Sequence, residues 1–126
     1  MPVTSPRRRT LIGAVALVAA APAIQVAWLE RYAVPPDEVA LGFDDGFHLV
    51  VGLLEDEELS PEALPLLRMI DEVFREMTED ATPVDRWTID ALSTDAGWER
   101  ARHLARDVLA VEGETDAQPP DASIVR

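Results

Sequence analysis

Two groups of side chains in this sequence have types and spacing that bear on chemistry. Glu99, His103 and Asp107 are spaced i, i+4, i+8 and share one face of a helix, the arrangement of a metal site or a proton relay. Arg100, Arg102 and Arg106 lie alongside and no second histidine or cysteine is near, so the same spacing also describes a solvated face of helical ion pairs. His48 follows Phe47 in a mostly apolar stretch and, as a lone histidine, reads as a structural or surface residue. The run Glu55, Asp56, Glu57, Glu58 lacks the alternating ligand spacing of a calcium loop and reads as a solvated turn.

Nucleophilic chemistry finds no starting point. There is no cysteine and no Gly-x-Ser-x-Gly elbow, and Ser60 and Ser93 sit where a cap and a turn are needed. No phosphate-cradling glycine loop is present. The sequence therefore predicts no catalytic, cofactor-binding or metal-ligating residue in this chain. Trp87 and Trp98 remain as candidates for binding, either as core residues or as aromatic anchors of a partner interface.

What positions these residues begins with an unusual N-terminus. Arg7, Arg8 and Arg9 precede an uncharged run from Leu11 to Ala21, and Ala21, Pro22 and Ala23 supply the small residues of a cleavage site. Arg8, Arg9, Thr10, Leu11 and Ile12 read as Arg-Arg-x-apolar-apolar, which resembles the twin-arginine export signal with Arg8, Arg9, Leu11 and Ile12 as its elements. An ordinary secretory signal shares the tripartite pattern. Leu11 to Leu29 is also 19 residues interrupted only by Gln25, near the ~20 that span a bilayer. Two outcomes stand: cleavage beyond Ala21 and Ala23, or retention as a membrane anchor to about residue 29. Both place the remainder outside the cytoplasm, at the cell surface or in a periplasm.

Composition narrows the partners. Eleven arginines, no lysine and 24 carboxylates give a net charge of −13, which becomes −16 over 103 residues once residues 1–23 and their three arginines are removed. Phosphate backbones and anionic lipid surfaces would be repelled, so nucleic acid is not expected as a partner. Such acidity also suits a halophilic source, where salt screens self-repulsion. With no disulfide available, packing or a partner must hold the fold.

The periodicity predicts an all-α fold: a small bundle of three to four short helices preceded by the signal or anchor helix. Residues 24–45, with Pro35, Pro36, Gly42 and Gly46 in or next to them, read as a linker, and 46–113 as the helical domain. Phe43, Phe47, Val50, Val51 and Leu54 give a first stripe ending at the acidic run near Glu55. Ser60 and Pro61 open a second helix, with Ala63, Leu66, Leu67, Ile70, Val73, Phe74 and Met77 on one face. Thr82 and Pro83 open a third, short helix carrying Val84, Trp87, Ala91 and Leu92. Asp95 caps a last one lined by Trp98, Ala101, Ala105, Val108 and Leu109, closed near Gly113. Residues 114–126 read as a disordered acidic tail.

The leader followed by Phe47, Leu53, Leu54, Leu59, Ser60 and Pro61, within "FHLVVGLLEDEELSPEALPLL", resembles the small subunit of membrane-associated FAD-dependent sugar and polyol dehydrogenases of the sorbitol and fructose dehydrogenase type. The resemblance covers about residues 7 to 17 and 47 to 77. It implies a non-catalytic accessory subunit with no cofactor of its own. Such a subunit escorts a FAD-bearing dehydrogenase large subunit through the twin-arginine (Tat) translocase and helps hold it outside the cytoplasm, with a membrane contact through the N-terminal helix if that helix is not cleaved. The alternative class is an autonomous extracytoplasmic acidic helical binding or structural domain.

Overall fold

In a computed structural model that describes residues 5–82 and 85–121, the chain forms seven helices and, among those residues, no strand. They are α1 (Pro6–Ala19), α2 (Pro22–Tyr32), α3 (Asp37–Phe47), α4 (Val50–Glu55), α5 (Ala63–Glu79), α6 (Ala91–Thr94) and α7 (Ala96–Val111). The main packing runs from α3 to α1, from α1 to α7 and from α7 to α5.

The stretch that resembles a leader is therefore an interior helix of the bundle. Ser5 caps α1 by accepting from the Arg8 amide at 3.1 Å, and Pro6 sits in the first turn, where its missing N–H costs nothing. Leu11, Val15 and Val18 are fully enclosed, with Ile12, Ala14, Ala16, Leu17 and Ala19 nearly so. A helix apolar on every side has only two stable surroundings, a protein core or lipid, and here α3 and α7 supply the first. No helix among the described residues is long and apolar enough to cross a membrane.

Residues 24–45 differ most from expectation. The proposed linker is most of α2 and α3, with Val39 and Phe43, one helical turn apart, buried against the bundle. Asp37 and Glu38 favour the first turn of α3 electrostatically. Gly46 is no breaker: a Cβ there would lie 3.2 Å from the Leu11 Cα, so glycine lets α3 approach α1 closely. The predicted first helix is split instead at His48 and Leu49, and Val51 points to solvent while Leu53 is enclosed.

The second stripe holds except at Leu66, which is only partly buried. Ala63, Leu67, Ile70, Val73, Phe74 and Met77 are buried along α5, although the regular helix starts at Ala63 after a turn at Pro61 and Glu62. Pro65 is thereby left in the first turn, where no amide bond is lost. The short third helix shrinks to α6; Pro83 and Val84 lie outside the described residues. Asp95 caps α7 by accepting from the Gly97 amide at 2.7 Å, and Trp98, Ala101, Ala105, Val108 and Leu109 are all buried. Gly113, at φ 69°, ends the helix as the Glu114 amide returns to the Leu109 carbonyl.

The segment read as a disordered tail is docked as far as Asp121. Trp28 Nε1 donates to the Pro120 carbonyl at 2.7 Å, and the Tyr32 hydroxyl donates to Asp121 at 3.2 Å. Two aromatic side chains with polar tips thus supply the anchoring that low hydrophobicity in the tail does not. Residues 122–126 lie outside the described residues.

Candidate functional site

The groups singled out for chemistry do not converge. His103 and Glu99 are exposed, with 3.9 Å between Nε2 and Oε1, and Asp107 is exposed further along α7. Among the described residues no three His, Cys, Asp or Glu side chains gather as they would around a metal ion. His48 is exposed beside Asp44; its hydrogen bond to the Asp44 carbonyl at 2.7 Å, aided by the nearby carboxylate, raises its pKa.

Arg8 and Arg9, read as export residues, begin α1 with different surroundings. Arg8 is largely buried: Nη1 donates to the Glu58 carbonyl at 2.8 Å and to Glu112 Oε1 at 2.7 Å. Glu112 Oε2 in turn accepts from the Ser60 amide at 3.2 Å, so one carboxylate ties α1 to the turn that precedes α5. Arg7 pairs with Asp56 and Glu58. These carboxylates offset the unfavourable placement of cations at a helix N-terminus. Arg9 is exposed, and Leu11 and Ile12 face the core. Ala21 and Ala23, read as the cleavage site, join α1 to α2 and enter its first turn.

Trp98 is fully enclosed, packing edge-on against Phe74 and Trp87 with centroids 5.4 and 5.6 Å away, and its Nε1 donates to the Arg86 carbonyl. It is a core residue and presents no surface to a partner. Trp87 is only partly buried. The loop that carries it is held by Arg86, which forks onto both oxygens of Asp95 at 2.9 and 3.0 Å and reaches Asp80 at 3.2 Å. This fork raises the Arg86 pKa and holds Asp95 below its ordinary range.

Trp87 lines a groove of about 560 Å³ between α3 and α5. Phe43, Phe74 and Trp87 give it an aromatic floor, with Leu41, 49% exposed, at its edge. Asp37 and Asp44 stand on the α3 side and Asp71 and Glu79 on the α5 side. Arg75, the one guanidinium among the described residues that line it, bonds to Asp71 at 2.9 Å and Glu72 at 3.2 Å. Its volume falls within the ~300–1,000 Å³ of ligand-binding clefts. Of its residues, sequence reasoning singled out only Trp87 as a binding residue. The missed signal was Leu41, an apolar residue off the buried Val39–Phe43 face of a helix taken for a linker.

No protein-family model, no curated protein and no solved structure matches this chain.

Proposed function

We propose that this chain is a non-catalytic accessory subunit that escorts and holds a flavin-dependent dehydrogenase large subunit outside the cytoplasm. The observation that carries the proposal is the α3–α5 groove, an aromatic floor between carboxylate rims, which suits recognition of a partner. The Arg8–Arg9 pattern adds a motive, since a folded-protein export route serves a cofactor-loaded partner more than a small chain without cysteine. FAD and the hydride chemistry belong to the large subunit, and the Tat translocase would carry the pair.

A second reading is favoured by one observation. Arg8 is clamped by Glu112 and α1 is interior, which suits an autonomous acidic helical domain in which residues 5–23 are a permanent part of the fold. Affinity capture from the extracytoplasmic fraction, read by mass spectrometry and flavin absorbance, separates the two. A co-purifying flavoprotein supports the subunit; its absence from a capture in which the chain is folded and abundant sinks it.

A further inference from the structure

The groove has a charge and shape that select among occupants. Its rims carry Asp37 and Asp44 on one wall and Glu79 on the other, where Asp71 is paired with Arg75, which also reaches Glu72. Between them lie rings in mutual contact, Phe43 to Phe74 at 5.9 Å and Phe74 to Trp87 at 6.2 Å. An acidic or neutral helix laid here would bring its flanks against carboxylates, whereas one flanked by arginine or lysine would meet opposite charge on both sides. The net charge of −13 steers cationic partners toward the chain as a whole. From Asp71 to Glu79 the α5 wall runs about 12 Å, two helical turns, which seats apolar side chains at i, i+4 and i+7.

We propose that the α3–α5 groove docks a basic amphipathic helix of a partner protein, with its apolar stripe over Leu41 and Trp87 and its cationic flanks facing Asp37, Asp44 and Glu79. The proposal rests on reading the chain as an interaction subunit and names the segment that the partner presents.

The probe is a synthetic helix of about four turns with leucines on one stripe and arginines on both flanks, titrated into the full chain and followed by calorimetry. Leu41→Asp, at an exposed position, should leave the far-UV circular dichroism unchanged and weaken binding at least ~10-fold. Asp37→Asn combined with Glu79→Gln, one carboxylate from each wall, should weaken it and flatten its decline between about 50 mM and 500 mM salt. A peptide of the same composition with the stripe scrambled should bind at least ~10-fold more weakly. Equal binding of the scrambled peptide, or indifference to Leu41→Asp, would reduce the interaction to diffuse charge attraction and overturn the site. Self-association of the wild type that Leu41→Asp abolishes would make the occupant a second copy and overturn it too. Flavoprotein captured equally by wild type and Leu41→Asp removes the groove but leaves the subunit reading standing. Peptide binding with no flavoprotein captured does the reverse.

Discussion

Arg102 Nη2 donates to Gln25 Oε1 at 3.0 Å, between side chains that are both buried. Around this contact the open end of α1 is closed. Gln25 Nε2 donates to the Leu17 and Val18 carbonyls, Arg106 Nε to Ala19, and Arg102 Nε to Ala20. The last four carbonyls of a helix have no partners within it, and its C-terminus carries partial negative charge, so two guanidinium groups and an amide satisfy both demands at once. Burial lowers the Arg102 pKa, with Arg106 nearby pushing the same way, yet arginine stays charged.

Replacing Arg102 by Met should strand the carbonyls of Ala20 and Leu92 and the Gln25 oxygen, at about 3 kcal/mol or more in urea unfolding. Gln25→Leu should also destabilise, and the double variant should lose less than the two losses combined, because the pair acts as one unit. Full additivity would mean that water satisfies each group separately.

Removal of residues 1–23 tests the bundle against the leader reading. The shortened chain lacks eight buried residues from Leu11 to Ala19, and each large apolar side chain contributes about 1.5 to 3 kcal/mol. A chain beginning at Ile24 should show low helix content and no cooperative thermal transition. Native-like unfolding of that fragment would mean that α3 and α7 can close over the vacated space and that α1 is dispensable.

How far the sequence carried the fold follows from which element is considered. The face of α5 and that of α7 were legible because their polar and apolar residues alternate with helical period, so burial could be assigned residue by residue. α1 has no such contrast. An all-apolar helix satisfies the pattern of an export signal, a span and a central core helix equally, and only tertiary packing separates them. Gly46 misled in the opposite direction, since glycine marks both a break and a close approach of two helices, and Gly42 is an ordinary position within α3 with open space beside it. The groove was hidden for a related cause: one wall is α3, within the stretch whose prolines and glycines read as a linker, and the other carries Asp71 and Glu79, off the apolar stripe by which α5 is recognised.

Acid should loosen the Trp87 loop. The Arg86 fork and the Gly97 amide hold the Asp95 carboxyl below its ordinary 3.8, and Asp80 is lowered chiefly by the Thr82 amide and also by Arg86. A depressed carboxyl pKa contributes stability that is present above the unfolded-state value and lost as pH falls through the folded-state one. The stability gap between wild type and Asp95→Asn should thus be constant above about pH 5 and close as pH falls below 3.8. A gap that persists unchanged into stronger acid would show that the asparagine disturbs the α7 cap and that charge is not the cause.

The arginine pair offers a test that separates an address from a clamp. Twin-arginine recognition needs both guanidinium groups, so Arg8→Lys with Arg9→Lys should strand the precursor in the cytoplasm if the pattern is read by that pathway. The same substitution also touches the fold, because Arg8 Nη1 donates to the Glu58 carbonyl and the Glu112 carboxylate while Nη2 reaches the Glu112 carbonyl at 3.4 Å, and a lysine ammonium does not reproduce contacts from two nitrogens held in one plane. Glu112→Gln isolates the second effect. It leaves both arginines in place while weakening the contact with Arg8, and it should destabilise by about 1 to 3 kcal/mol, since the Glu112 side chain is only 3% exposed. Export is then compared across wild type, the double lysine variant and Glu112→Gln, by fractionation in a strain dependent on that pathway. Loss of export in the lysine variant alone assigns the pair to the translocase. Equal loss in both variants assigns Arg8 to the bundle, where α1 must be seated before the chain is stable enough to travel.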